Sequence, residues 1–191
     1  NYLKKISKEL IFSNSGEAIV VSKDYTKGLL LRGYNSKDFL KLDIFKKEKS
    51  IKKSELLIEN TVSIGKELSF NLDLDVGDKI SIMSPAGIET IIGSLPRQET
   101  FTISSIFDSG LVDFDTNIAF LNLDTLENFF DFKKEERKLE IYLNNPSNID
   151  EVKIKIQKLF TDEFVYTWAD MNSSLFSALK VERNVMFIIL S

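Results

Sequence analysis

The sequence contains no cysteine and no histidine. Their absence excludes disulfides, thiol nucleophiles, zinc sites of the Cys/His kind and any Ser-His-Asp triad. It leaves the compartment open, because proteins on either side of a bacterial membrane do without thiols. Positive charge is not in excess either: 25 Lys and Arg stand against 29 Asp and Glu, a net charge of −4. A protein built to neutralise phosphates has the opposite balance, so nucleic acid is not an expected partner. A Walker A loop is missing, since neither Gly87 nor Gly93 leads into Gly-Lys-Ser/Thr. No cofactor and no metal are expected in this domain. No apolar run reaches the roughly 20 residues that a membrane span needs. The opening residues Asn1-Tyr2-Leu3-Lys4-Lys5 are not read as a signal peptide, because no apolar h-region or small-residue cleavage site follows.

The 191 residues are 43% hydrophobic, enough for a core, and their number leaves room for two small subdomains. Charged residues make up 28%, close to an ordinary soluble surface. Lys46, Lys47, Lys49, Lys52 and Lys53 form a local run that reads as a solvated connection. At the other end, residues 185–190 are an unbroken apolar run. Two readings stand for it. One is a core helix at the C-terminus. The other is the first turns of a transmembrane helix, with Glu182 and Arg183 at the interface and Arg183 snorkelling.

Periodicity divides the chain into three blocks. In the first, Leu3, Ile6 and Leu10 predict a short helix over residues 2–10. Residues 18–23 and 28–33 read as strands, the second apolar enough to predict burial on both faces. Ser36 is expected to cap a helical turn through Phe39 and Leu40. In the second block, Ile64, Leu68 and Leu72 predict a helix side, and Gly77-Asp78 a turn before the alternating strand 79–83. A second alternating strand, 100–107, places Phe101, Ile103 and Phe107 on one face, and residues 117–121 form a third. Asp124 and Glu127 have capping-box spacing ahead of Leu126, Phe129 and Phe130. In the third, residues 139–143 alternate, and Asn145-Pro146-Ser147-Asn148 turns the chain into a helix with Val152, Ile156, Leu159 and Phe160 as its apolar stripe. Residues 164–168 read as a returning strand, Trp168 as a core anchor and Asp170 as the cap of a last helix. The pattern is α+β, with a strand-rich insert between two βαβ-like pieces.

Several segments carry a family resemblance. They are Ile64-Gly65-Lys66-Glu67-Leu68, Leu74-Asp75-Val76-Gly77-Asp78-Lys79, residues 85–97, residues 101–115 and the tail from Trp168-Ala169-Asp170-Met171-Asn172 to Met186. In order and spacing the chain resembles the periplasmic domain of lipoprotein-releasing ABC transporter permeases of the LolC/LolE family, within the MacB-like superfamily. The resemblance is dense from Ile64 onward and generic over the first 55 residues. It implies a porter-like α/β subdomain (residues 1–56 and 135–170), an inserted β-rich subdomain (57–134) with a hook hairpin at 85–97, and a stalk leading into a transmembrane helix (171–191). It also implies a non-catalytic subunit of the bacterial inner membrane, with this domain in the periplasm. The implied partners are a LolA-type chaperone, the lipoprotein substrate, a LolD-type ATPase subunit and a second LolC/LolE-type subunit as homodimer or heterodimer.

The hook stretch is unusual even without the family. Ile88, Ile91, Ile92 and Leu95 lie between Pro85 and Pro96, with Gly87 and Gly93 among them. Each aliphatic gains about 1.5–3 kcal/mol on full burial. Either a partner covers them or they fold back onto their own sheet. The LolC-like branch uses this hook to recruit the chaperone, and the resemblance implies that Arg97 pairs with a chaperone carboxylate or carbonyl. Ile91-Ile92-Gly93 stands here where the family commonly has Pro-Met/Phe-Gly. Leu175, Leu179 and Met186 share a helical spacing, and the resemblance implies that they line the entry for the lipoprotein's acyl chains. Packing between subunits is the plainer reading of the same residues. Asp108, Asp113 and Asp115 form a carboxylate cluster that reads as solvated or turn-capping, not catalytic. Two other functions compete with lipoprotein release. One is MacB-like export with docking onto a periplasmic adaptor. The other is a soluble ligand-binding domain.

Overall fold

A computed structural model of the chain describes residues 2–22, 25–42, 57–90, 93–171 and 173. The lysine run between residues 46 and 53 lies outside them. The chain divides into two compact units. One is Glu9–Ile141, and the other joins the chain ends, Asn1–Lys8 with Tyr142–Ser191.

Among the described residues, seven strands form one mixed sheet: β1 (Ser7–Val21), β2 (Thr26–Tyr34), β3 (Thr61–Gly65), β4 (Lys79–Thr90), β5 (Gly93–Phe107), β6 (Ile118–Asn122) and β7 (Lys138–Leu143). Their order is β2-β6-β3-β5-β4-β1-β7, and β1 pairs with β2 as well. Six strands therefore make a closed circuit, with β7 outside it on β1. Closure removes most free edges. The α+β class expected from the sequence is the observed one.

The circuit has a period-2 reason. Ala18 and Val20, Leu29 and Leu31, Val62 and Ile64, Ile80 and Ile82, Phe101 and Ile103, and Ala119 and Leu121 supply one pair per strand to a single buried cluster. Strict alternation sends every second residue to the same face. Leu30 is 36% exposed on the opposite face, so β2 is buried on both faces only at its end, where Tyr34 turns outward into a second cluster. Its apolar run overstates burial because Leu30 needs no partner to stay in a strand. Leu126 and Phe129 of the helix Leu123–Phe130, and Leu68 of the helix Lys66–Leu72, complete the cluster.

A second buried cluster lies on the outer face: Ile11, Tyr34, Phe39, Leu42, Leu57, Phe107 and Phe120. Phe39 and Phe107 meet Phe120 edge-on, with ring centroids 5.3 and 5.2 Å apart. Phe107 was expected on the face of Phe101 and Ile103. The β3–β5 register slips instead, from Val62↔Ile103 to Ser63↔Ser105. The extra residue, Ser104, inverts the alternation and turns Phe107 outward.

Helices in chain order are α1 (Tyr2–Ile6), α2 (Ser36–Phe39), α3 (Lys66–Leu72), α4 (Val112–Asn117), α5 (Leu123–Phe130), α6 (Ile149–Leu159) and α7 (Trp168–Met171). Helix α1 stops before Ser7, where β1 begins, so the expected helix over 2–10 is half strand. Ile64 belongs to β3, and only Leu68 and Leu72 lie in α3. Ser36 does not cap α2: Asn35 holds that position, while Ser36 Oγ donates to the Leu57 carbonyl at 3.1 Å. Asn122, not Asp124, caps α5 by accepting from the Asp124 N–H.

In the unit built from the chain ends, the α6 stripe is only partly buried. Ile156 is inside, while Leu159 and Phe160 are exposed. Residues 164–167 form no strand. Phe164 is 86% exposed and Trp168 61%, so Trp168 is not a core anchor. No described partner strand exists to bury that alternation, and only Thr167 turns in. Thr167 caps α7: its Oγ1 accepts from the Asp170 N–H at 3.1 Å, and the Asp170 carboxylate accepts from the Thr167 N–H at 2.7 Å. This is a capping box with Asp170 as its third residue rather than its cap. No helix among the described residues is long and apolar enough to cross a membrane.

Candidate functional site

The candidate site is the outer part of the β4–β5 hairpin. Nearer the core, both strands have further neighbours. Met83 and Ile82 pair with Ile19 and Val20 of β1, and Thr102 pairs with Thr61 of β3. Beyond those points the described pairing is between β4 and β5 alone, up to Thr90↔Gly93. Residues 84–90 and 93–97 thus form a two-stranded arm leaving the circuit.

The arm has a break at its base. Ser84 pairs with Arg97, and the next pair is Ile88↔Leu95. Pro85, Ala86 and Gly87 on one strand face Pro96 alone on the other. Proline has no N–H to give to a ladder, so regular pairing cannot run through residues 85 and 96. Three residues against one produce a bulge, which bends and twists the ribbon. The prolines read in the sequence as breakers therefore sit at an interruption of the β4–β5 pairing, which resumes at Ile88↔Leu95.

Three of the expected hook residues have described side chains at this break besides Arg97's fork. Pro85 and Pro96 are exposed, and Leu95 is 53% exposed. Gly87, Ile88 and Gly93 are placed by their backbone pairing only. Ile91 and Ile92 lie outside the described residues. A half-exposed leucine just beyond two exposed prolines is apolar surface left to the solvent.

Arg97 sits differently from the expectation of a free contact residue. Its Nε donates to Glu99 Oε1 at 2.7 Å, and its Nη1 donates to the Asn128 carbonyl of α5 at 2.5 Å. Gln98 Nε2 crosses to Ser81 Oγ at 2.8 Å. The Glu99 partner was within reach of sequence reasoning, because residues two apart on a strand share a face. Nothing in the sequence pointed to Asn128, whose carbonyl arrives through tertiary packing.

Two of the three carboxylates of the 108–115 segment, Asp108 and Asp115, have structural partners. Asp108 accepts from Lys66 Nζ at 2.9 Å and from the Gly110 N–H at 3.0 Å. The Lys66 hydrogen bond, then that of Gly110, holds its carboxyl below the usual range. Asp115 is buried, and both oxygens accept from the Ser109 N–H at 3.1 Å. Asp113 is exposed on the first turn of α4. The three do not converge on one point. Leu175, Leu179 and Met186 lie outside the described residues.

No family model matches the chain. Over 190 residues, 97% of this chain and 44% of the relative, it is 25% identical to the lipoprotein-releasing system transmembrane protein LolC of Neisseria meningitidis serogroup B. The protein of that name from Xylella fastidiosa is 28% identical over 134 residues, 70% of this chain and 32% of the relative. That from Buchnera aphidicola is 26% identical over 190 residues, again 97% of this chain and 44% of the relative. The chain thus spans less than half the length of these curated relatives. Among solved structures, the extracellular domain of the noncanonic ABC-type transporter YknZ from Gram-positive bacteria superposes with a TM-score of 0.50. The identity is 15%, over 85% of this chain and 80% of that one. That likeness concerns the fold alone. The resemblance to LolC read from the motifs is borne out.

Proposed function

We propose that the chain is the extracytoplasmic domain of a membrane subunit that releases lipoproteins from the bacterial inner membrane and passes them to a LolA-type periplasmic chaperone. The observation that carries this reading is the two-stranded arm of residues 84–90 and 93–97, with Leu95 half exposed just beyond the exposed Pro85 and Pro96. It stands on a chain similar to LolC proteins over most of its length. The arm recruits the empty chaperone. Covering one leucine of this exposure is worth about 1 kcal/mol, so docking draws on several aliphatics together. Ile88, Ile91 and Ile92 are the proposed remainder.

In this reading ATP hydrolysis belongs to a separate LolD-type subunit. A second LolC/LolE-type subunit, identical or paralogous, completes the pair. Leu175, Leu179 and Met186 line the entry for the acyl chains. The domain itself works by binding and by conformational coupling, with the ATP-driven state selecting the arrangement that releases lipoprotein.

The test is chaperone capture by the full-length protein in nanodiscs. Leu95→Asp puts a charge where the partner must cover apolar surface, and capture is expected to weaken at least about tenfold. A deletion of residues 87–95 is expected to abolish it. Undiminished capture by the deletion variant sinks the reading and favours export with adaptor docking.

A further inference from the structure

Resting on the chaperone-docking reading, we infer that Arg97 is a positioning residue that straps the arm to helix α5 rather than a contact offered to the partner. Arg97 stands opposite Ser84, the last regular pair before the bulge. Past that pair, three residues face one, so the ladder no longer dictates the direction in which the arm leaves. A ribbon of two strands has no third strand to hold it either. Direction must come from the base. There the guanidinium donates to Glu99 on its own strand at 2.7 Å and to the Asn128 carbonyl at 2.5 Å. Asn128 lies in the last turn of α5, where carbonyls lack intrahelical donors and the helix dipole is negative. A cation is favoured there. The planar fork joins strand and helix in one fixed geometry, which an ammonium cannot reproduce. The two bonds take two of the five guanidinium N–H donors, so a partner that drew Arg97 off its strand or helix acceptor would have to break the corresponding bond.

The test uses the full-length protein in nanodiscs with purified LolA-type chaperone. Two quantities are read: chaperone affinity, and amide hydrogen exchange of residues 84–90, 93–101 and 128–131. Arg97→Ala is expected to lower affinity about tenfold and to speed exchange in the arm and at the α5 end. Arg97→Lys is expected to recover only part of either. Glu99→Gln, which leaves Arg97 in place but loosens its fork, is expected to move both in the same direction. Leu95→Asp is expected to lower affinity with exchange unchanged. Lost affinity for Arg97→Ala with unaltered exchange, and a Glu99→Gln variant that binds normally, overturns the strap and makes Arg97 a direct contact. Unchanged exchange and affinity in Arg97→Ala overturn it too. Should Leu95→Asp and the arm deletion both bind normally, the docking reading fails, while faster exchange in Arg97→Ala still upholds the strap.

Discussion

Gly65 shows how tightly single residues are set. A Cβ there would stand 2.0 Å from the carbonyl oxygen of Asp115, a backbone atom that cannot step aside. Gly65→Ala is expected to cost about 2–3 kcal/mol by overpacking, measured by urea unfolding. Gly28→Ala, where a Cβ meets nothing within 4 Å, is expected to stay within about 0.5 kcal/mol. Asp170 makes a second prediction. Its hydrogen bond from Lys153, then those from the Thr167 N–H and hydroxyl, lowers its pKa from 3.8 to about 2. A carboxyl whose folded pKa is depressed stabilises fully above its unfolded value and loses that contribution as pH falls through the folded one. The α7 cap is therefore expected to hold at pH 5 and to loosen between about pH 4 and 2. Exchange of the Asp170 and Met171 amides checks this, and in Asp170→Asn the step should vanish. Neither residue's role was legible in sequence. The glycine's reason is a backbone 50 residues away, and Asp170, expected as the cap, is the partner of a cap supplied by Thr167.

Individual elements depend on a few polar clasps as much as on apolar stripes. Arg137, between the 3-10 turn Lys134–Glu136 and β7, grips α5 from below. Its Nε and Nη2 donate to the two oxygens of Glu127 at 2.6 Å each, and Nη2 also reaches Asp124 Oδ1 at 2.9 Å. The Glu127 bond raises the arginine pKa above its ordinary value, against desolvation. Glu127 is buried, so Arg137→Met leaves a carboxylate with little solvent and no cation. The expected loss is about 3 kcal/mol, read from thermal unfolding, with Arg137→Lys recovering part of it. On β7, Glu140 Oε1 accepts from Ser13 Oγ at 2.5 Å, Arg32 Nη2 at 2.7 Å and the Tyr34 hydroxyl at 3.0 Å. These bonds hold β7 to β1 and β2. The strands themselves were legible because alternation is a local property, as in Ile80/Ile82 and Phe101/Ile103. Strand 164–168 failed for the complementary reason. Phe164, Tyr166 and Trp168 alternate as a strand does, but the described residues provide no neighbour to pair with them.

At the scale of the molecule, the closed circuit and the arm are separable. The interior cluster draws on β4 no further out than Ile82 and on β5 no further out than Phe101. Removing residues 86–94 is therefore expected to shift the thermal midpoint by less than about 4 °C, or about 1 kcal/mol, while chaperone capture is lost. A large fall in the midpoint would show that the arm supports the fold instead of projecting from it. By itself the sequence determined which residues alternate as strands, which chemistries are absent and which stretch is interrupted by proline and glycine, because composition, period and proline act over a few residues. Tertiary structure alone decided that β1 returns to β2 to close the circuit, that one extra serine sends Phe107 to the other face, and that Arg97 finds a helix end. Each of those depends on register and on groups distant in sequence, and no local pattern encodes the meeting of two segments that approach only when the chain is folded.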